Sequence, residues 1–335
     1  MTAASDTARD EAALSVGDLR VRLRARAGIV HAVNGISFAV RAGEIVGIVG
    51  ESGSGKSVAM MATLGLLDAQ IVEQASGLVT VGARTWRDIV VPDPWTSRSP
   101  ELAIVFQDAI AALNPVLTVG AQMTDALAAR HGLATGPARA RARELLDAVR
   151  IADAARVLDS YPHQLSGGMC QRVMIAIAIS AEPKVLVADE PTTALDVTVQ
   201  AQILDLLRRI RDRTGMAIVI ISHDLGVIAR MASQVYVMYA GRIVESAPAG
   251  ALFADPRHPY SRALLQCSPR IDRDDRASGA IPGAPPDMRR RRPGCAFAPR
   301  CTQATARCGA EEPALIPAGV RSVACWHPVG GGRHD

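Results

Sequence analysis

A glycine-rich loop of eight residues constrains the fold of this chain more than any other feature. It fits the pattern G-x-x-x-x-G-K-[S/T] and follows the apolar run at residues 45–49, which predicts a strand, a loop and then a helix. Such a loop turns backbone N–H groups inward around phosphates, and the helix N-terminus adds positive potential. We expect Lys56 to reach the terminal phosphates and Ser57 to bind Mg²⁺. The predicted phosphate-binding residues are Gly50, Glu51, Ser52, Gly53, Ser54, Gly55, Lys56 and Ser57.

An acidic pair closes the apolar segment at residues 185–188. Asp189 and Glu190 follow it directly, as two carboxylates at the end of a predicted strand. A carboxylate in that place can hold Mg²⁺, and its neighbour can face an attacking water molecule. An acidic loop after a buried strand is common by itself, but it is unexpected beside a phosphate loop in the same chain. We therefore assign Asp189 to the metal and Glu190 to the general base.

Four further motifs occur along the chain: Val105-Phe106-Gln107-Asp108, Leu165-Ser166-Gly167-Gly168, Ala194-Leu195-Asp196 and Ile221-Ser222-His223-Asp224. Together with the phosphate loop and the acidic pair, their order resembles the ATP-binding-cassette (ABC) ATPases over nearly the whole chain. The resemblance implies that Gln107 senses Mg²⁺ and the membrane partner, and that His223 touches the terminal phosphate. It also implies that the signature residues Ser166, Gly167 and Gly168, together with Asp196, contact ATP across a pair of subunits.

The signature at residues 165–168 also has a direct physical interpretation. Ser166 and the backbone N–H groups of Gly167 and Gly168 would open a helix that begins near Met169, and this makes an anion site. No phosphate loop lies near this site in sequence, so we expect its ligand to be a nucleotide on another subunit. Two sandwiched ATP molecules would close such a dimer, and their hydrolysis would reopen it.

The resemblance implies an α/β fold class, a P-loop NTPase of the ABC type with an antiparallel β subdomain and an α-helical signature subdomain. Alternating apolar residues predict short strands over residues 14–49, and helical spacing predicts the helical subdomain over about 108–165. We place the nucleotide-binding domain at residues 1–250 and a small cysteine-containing extension at residues 251–335. One departure is Leu23, because the family usually has an aromatic residue there to stack on adenine.

Composition favours a soluble chain that meets a membrane only through a partner. The chain has 335 residues, of which 49% are hydrophobic and 21% charged, with a formal net charge of +4 and a pI of about 8.9. The longest apolar stretches, at residues 173–181 and 216–221, are too short to cross a bilayer. Residues 1–14 lack the basic start and apolar centre of a secretory signal. We expect a peripheral location at the cytoplasmic face of the cell membrane.

The segment from residue 295 onwards contains four spaced cysteines. Cys295, Cys301, Cys308 and Cys325 are separated by 5, 6 and 16 residues. Thiolates suit zinc or an iron–sulfur cluster, although zinc sites usually include a close C-x₂₋₄-C pair, which is absent here. A cytosolic setting argues against structural disulfides and leaves free thiols as a third possibility. Together with residues 255–261, this segment resembles the C-terminal extension of oligopeptide and dipeptide importer ATPases, which implies a [4Fe–4S] cluster on these thiols.

The same resemblance implies energy coupling for peptide import and a set of partners. These are a second, distinct ABC ATPase in a heterodimer, two transmembrane permease subunits and an extracytoplasmic peptide-binding protein. Related importers carry nickel, glutathione or other small solutes, and the cargo stays open among these. An alternative is a soluble ABC-type ATPase that acts on nucleic acid or ribosomes, which the basic run Arg289–Arg292 invites. We expect no nucleic-acid partner, because no aromatic residues interleave these arginines and aromatic content is only 3%.

Overall fold

The computed structural model describes residues 12–87, 89–90, 100–193, 195–267 and 281–330. These residues form two compact units. The first unit contains what is described of residues 1–40, 44–98 and 221–335, and the second contains residues 41–43 and the described part of 99–220. The prediction that the N-terminus carries no secretory signal rests mostly on residues 1–11, which lie outside the described part of the chain.

Strands and helices alternate along most of the chain. The strands are β1 (Ala12–Ala25), β2 (Gly28–Arg41), β3 (Ile45–Val49), β4 (Val72–Val81), β5 (Arg84–Trp86), β6 (Leu102–Val105), β7 (Val185–Asp189), β8 (Ala217–Ile221), β9 (Gln234–Tyr239), β10 (Arg242–Pro248), β11 (Ile316–Ala318) and β12 (Arg321–Val323). The α-helices are α1 (Lys56–Leu64), α2 (Ala109–Ala112), α3 (Val119–His131), α4 (Thr135–Ala148), α5 (Ala154–Leu158), α6 (Gly167–Ser180), α7 (Val197–Thr214), α8 (Leu225–Met231), α9 (Ala249–Ala254), α10 (Pro259–Cys267) and α11 (Ala306–Ala310).

One sheet of the first unit has the strand order β2-β1-β4-β5, and β4 runs antiparallel to both β1 and β5. Buried Leu19 and Val21 alternate with exposed Arg20 and Arg22 along β1, because successive side chains of a strand point to opposite faces. The predicted antiparallel layer is therefore present. The prediction of short strands is wrong, since β1 and β2 extend over 14 residues each and only a two-residue turn separates them.

The other strands of the first unit follow the order β11-β12-β10-β9-β3. β3 and β9 run parallel, with Val46 opposite Gln234, whereas β9 and β10 pair antiparallel. All five residues of β3 are buried, which is the continuous apolar pattern of a strand covered on both faces. β3 leads directly into the glycine-rich loop and α1, so the predicted sequence of strand, loop and helix is confirmed.

In the second unit the strands follow the order β8-β7-β6, and β6 runs parallel to β7 with Ile104 opposite Val187. Helices α2 to α5 and a 3₁₀ helix at Pro162–Gln164 lie between these two strands in sequence, within the segment predicted to be helical. The domain division at residue 250 stays a prediction. Among the described residues, no helix combines the length and the apolar character that a bilayer span needs.

Candidate functional site

The glycines of the phosphate loop are required by close backbone contacts. Gly55 has φ +98°, and a Cβ atom built on it would lie 2.2 Å from the Ala32 carbonyl oxygen. A Cβ atom on Gly50 would likewise lie 2.2 Å from the Met238 carbonyl oxygen. No side chain fits at either distance, so the backbone of β2 and β9 fixes the path of the loop.

Lys56 is the buried cation of this loop. The residue is only 7% exposed, and its ammonium group donates hydrogen bonds to the carbonyl oxygens of Gly50 (2.8 Å) and Glu51 (3.0 Å). Ser57 follows on the first turn of α1 and is exposed, as are Ser52 and Gly53. The loop therefore places a cation beside the N-terminus of a nine-residue helix, which is the combination that binds phosphate.

His223 lies in the turn between β8 and α8 of the first unit and is exposed. The backbone N–H of Ser222 donates to the Ile48 carbonyl oxygen at 3.4 Å, which ties this turn to the strand that leads into the phosphate loop. On the other side, Asp224 begins α8, and its carboxylate accepts from the backbone N–H of Gly226 at 2.8 Å. The histidine is thus held between two anchored residues.

In the second unit, Gln107 and Glu190 meet through a hydrogen bond. Gln107 Nε2 donates to Glu190 Oε2 at 3.0 Å, and Thr193 Oγ1 donates to the same oxygen at 2.9 Å. Glu190 has φ +48°, a left-handed conformation that a non-glycine residue keeps only where its surroundings enforce it. Asp189 ends β7 and is half-buried. The structure therefore brings together two of the predicted site residues, Gln107 and Glu190, and adds Thr193. The sequence signal for Thr193 was a hydroxyl residue three positions after Glu190.

The signature serine begins the long helix α6. Ser166 is the N-cap residue, and its hydroxyl oxygen accepts from the Met169 backbone N–H at 3.3 Å. The helix begins at Gly167, so the prediction of a start near Met169 is wrong by two residues, because the serine cap already organises the two glycines as the first turn. Ser166 is exposed, and Gly167 and Gly168 are half-buried. An N-terminus of a 14-residue helix that reaches the surface fits the predicted anion site.

Asp196 caps the neighbouring helix α7. Its carboxylate accepts from the Val199 backbone N–H at 2.9 Å. A Cβ atom on Gly168 would lie 2.7 Å from Val199 Cγ1, so the first turns of α6 and α7 are in close contact. The predicted signature residues and Asp196 therefore lie at one place in the second unit.

The four spaced cysteines line one cavity in the first unit. Cys295, Cys301, Cys308 and Cys325 share it with aromatic and imidazole side chains, among them His258, Phe297, Trp326 and His327. The Cys295 backbone N–H donates to the Cys308 carbonyl oxygen at 2.8 Å. Burial, with a smaller contribution from the other three thiols, raises the pKa of Cys325 to about 11. All four are free of disulfides.

A metal site needs several ligand side chains gathered around one point. No group of three or more His, Cys, Asp or Glu residues within the described ranges could hold one. The donor set nevertheless has the chemistry that iron–sulfur clusters require, since it consists of four thiols around a largely apolar space. The cluster therefore stays a proposal.

Leu23 is half-buried on β1, opposite Val72 of β4. The next residue, Arg24, is exposed and forms an ion pair with Glu73. An aliphatic side chain offers no π face to adenine, so the departure noted in the sequence concerns a side chain near the end of β1, an interior strand of the antiparallel sheet.

Sequence reasoning missed two further residues at the phosphate loop. Tyr260 and Arg300, both from the C-terminal part of the chain, form hydrogen bonds with Glu51. Glu51 was predicted only as a loop residue that binds ATP, and that role stays a prediction. No local pattern connects positions more than 200 residues apart, so the structure was needed to find these contacts.

Two family models match the chain. One, described as "ABC transporter", matches residues 33–193, and the other, described as "Oligopeptide/dipeptide transporter, C-terminal region", matches residues 244–308. A putative peptide import ATP-binding protein of Brucella abortus is 47% identical over 319 residues, which cover 93% of this chain and 94% of the relative. The dipeptide transport ATP-binding protein DppD of Escherichia coli is 45% identical over 326 residues, which cover 95% and 97% of the two chains.

Solved structures give the same fold. The dimeric ATP-binding cassette MJ0796, in a post-hydrolysis state bound to ADP and Pi, matches with a TM-score of 0.61 and 28% identity. The match covers 70% of this chain and 98% of the cassette. The predicted ABC ATPase fold is thus confirmed, and the family couples ATP hydrolysis to transport. The chain belongs to the ABC transporter ATP-binding proteins that carry the oligopeptide/dipeptide transporter C-terminal region.

Proposed function

We propose that this chain hydrolyses ATP to energise the import of di- or oligopeptides through a membrane ABC transporter. The observation that carries the proposal is the match of residues 244–308 to the oligopeptide/dipeptide transporter C-terminal region, beside relatives named for peptide import and dipeptide transport. A generic cassette ATPase has no need of this segment. The relatives favour peptides over nickel or glutathione as the cargo.

Within the ATPase, the contacts support particular roles. Lys56 stabilises the terminal phosphates, and Glu190 orients or deprotonates the attacking water, held by Gln107 and Thr193. The assignment of Ser57, Asp189 and Gln107 to Mg²⁺ rests on the sequence motifs, as does that of His223 to the terminal phosphate. The exposed N-terminus of α6 supports a dimer in which Ser166 contacts nucleotide bound by the partner.

The partners follow from the same family membership. We expect two transmembrane permeases, a second ABC ATPase in a heterodimer and an extracytoplasmic peptide-binding protein, with this chain at the cytoplasmic face of the membrane. To test this, the chain is tagged in its own host, membranes are solubilised gently, and the copurifying proteins are identified. Two permeases and a second ATPase would support the importer, whereas ribosomes or nucleic acid without permeases would contradict it.

We also propose a [4Fe–4S] cluster on Cys295, Cys301, Cys308 and Cys325. The support is their shared cavity and the absence of a disulfide among them. Protein purified without oxygen should be brown and contain iron, and Cys295→Ser or Cys325→Ser should remove both the iron and the colour. Cys267→Ser is the matched control, because this thiol lies outside the cavity lining. Zinc without iron in the purified parent protein would refute the cluster.

A further inference from the structure

Glu51, the second residue of the phosphate loop, is bonded at each of its polar groups. Its backbone N–H donates to the Tyr260 hydroxyl at 2.7 Å. Its carboxylate accepts from the two terminal nitrogens of Arg300, at 2.7 and 3.0 Å. Its carbonyl oxygen accepts from Lys56 Nζ at 3.0 Å. Two side chains from the C-terminal part of the chain therefore clamp the second residue of the loop.

Arg300 is itself fixed in place. Its side chain is only 3% exposed. Nε donates to the Pro282 carbonyl oxygen at 2.9 Å, and Nη2 donates to the Ile281 carbonyl oxygen at 3.0 Å. Nη1 donates to the Tyr239 hydroxyl at 3.3 Å, so the hydrogen bonds to Glu51 complete the five donors of the guanidinium. The pairing with Glu51 raises the pKa of Arg300, which keeps the charge in place at every accessible pH. A buried guanidinium whose donors are all hydrogen-bonded has a fixed position and orientation.

Tyr260 is held by aromatic packing. It is fully buried, and its ring centroid lies 4.5 Å from that of Tyr239 and 5.4 Å from that of Phe297. Tyr239 and Phe297 meet edge to face at 5.3 Å. Phe297 also lines the thiol cavity, so this cluster of three rings lies between that cavity and the loop. Burial raises the pKa of Tyr260, and the hydroxyl stays protonated.

We propose that Arg300 and Tyr260 are positioning residues of the ATPase reaction. By clamping the backbone and the carboxylate of Glu51, they hold the phosphate loop in the shape that receives the phosphates of a nucleotide. Neither residue needs to touch the nucleotide. The proposal rests on the ATPase family of the chain and does not depend on the peptide cargo or on a metal cluster.

The expected effect follows from preorganisation. When only a fraction of molecules has the loop in its binding shape, the apparent dissociation constant rises by the inverse of that fraction. Hydrogen bonds to a charged group are stronger than those between neutral groups, so loss of the Arg300 pair should weaken binding by about tenfold and loss of the Tyr260 hydroxyl by about threefold. Lysine cannot replace Arg300, because an ammonium group is a point charge without the planar fork.

The test uses the purified full-length chain and the Mg²⁺ complex of adenylyl imidodiphosphate, a nucleotide that is not hydrolysed, with calorimetry as the readout. Three variants probe the clamp: Arg300→Met, Tyr260→Phe, which keeps the ring, and Glu51→Gln, which removes the charge from the loop side. We expect all three to bind the nucleotide more weakly. Arg307→Met is the matched control, because Arg307 pairs with Glu311 in the same segment, and it should bind as the parent does.

The variants at Glu51 and Tyr260 distinguish the proposed positioning of the phosphate loop from a purely structural role of Arg300. Glu51→Gln and Tyr260→Phe leave the Arg300 backbone and the thiol cavity in place, so parent-like binding by both would overturn the proposal whatever Arg300→Met does. Arg300→Met combined with Glu51→Gln should bind no more weakly than Arg300→Met alone, because both remove one interaction. In the assembled transporter, the KM for ATP should rise with kcat nearly unchanged. Additive losses, or a fall in kcat alone, would also overturn it.

Discussion

Thr193 supplies the sharpest test of the carboxylate arrangement in the second unit. Its hydroxyl donates to Glu190 Oε2 at 2.9 Å, beside the amide of Gln107 at 3.0 Å. Thr193→Val removes this donor and keeps the branched shape of the side chain. The carboxylate then keeps the hydrogen bond from Gln107 but loses one of the donors that orient it, in a residue whose left-handed backbone already needs support from its surroundings.

The size of the effect can be worked from these contacts. A hydrogen bond to a charged group contributes about 1.5–3 kcal/mol. Because the bond from Gln107 remains, we expect a loss at the lower end of this range, about 1.5 kcal/mol. Because about 1.4 kcal/mol corresponds to a factor of ten in rate, kcat should fall about tenfold. The KM for ATP should stay within about twofold, because the role proposed for Glu190 is to act on the attacking water and not to bind the nucleotide.

The assay is steady-state ATP hydrolysis by the assembled transporter, with two controls. Thr193→Ser keeps the hydroxyl and should retain most of the activity. Thr80→Val removes a hydroxyl on β4 that bonds to Thr85, and should behave as the parent does. A Thr193→Val variant with parent kcat would refute the role of this contact, and an equal loss in Thr193→Ser would point to packing instead.

Two further predictions concern the caps and the loop. Asp196→Ala removes the N-cap of α7 and should lower the free energy of unfolding, measured by urea denaturation, by about 1 kcal/mol. Asp196→Asn keeps a capping oxygen and should be about as stable as the parent. An alanine variant as stable as the parent would contradict the role of the cap. Gly55→Ala places a Cβ atom against the Ala32 carbonyl oxygen at a residue of positive φ. Because such strain costs roughly 1–3 kcal/mol, the variant should bind nucleotide at least about tenfold more weakly in calorimetry. Gly28→Ala, at an open position of positive φ, is its control, and equal losses in both would count against the contact.

The phosphate loop could be predicted because its pattern is local. Spacing within eight residues specifies the strand, the turn and the helix start, and the structure has all three. Helix α6 was predicted with a start near Met169, but Ser166 caps it and moves the start to Gly167, since a capping hydroxyl is a finer signal than apolar spacing. The lengths of β1 and β2 were missed because the two-residue turn at residues 26–27 does not interrupt the alternation by much.

Contacts between distant positions could not be predicted. Gln107 and Glu190 are 83 residues apart, and Glu51 and Arg300 are 249 apart, so no periodicity connects them. The left-handed backbone of Glu190 also has no signature in its residue type, because glutamate gains nothing from positive φ. The four spaced cysteines line one cavity, but no group of three or more potential ligands in the described part of the chain could hold a metal ion, so the cluster predicted on them stays a prediction.

The measurement that tests the central proposal most directly is ATP hydrolysis by the transporter assembled in lipid vesicles, with a peptide-loaded binding protein supplied outside. The proposal predicts that the loaded binding protein raises the rate, that the empty one does not, and that Glu190→Gln in this chain abolishes the increase. Stimulation by nickel or glutathione with no response to peptides, or a rate indifferent to any loaded binding protein, would contradict peptide import by this chain.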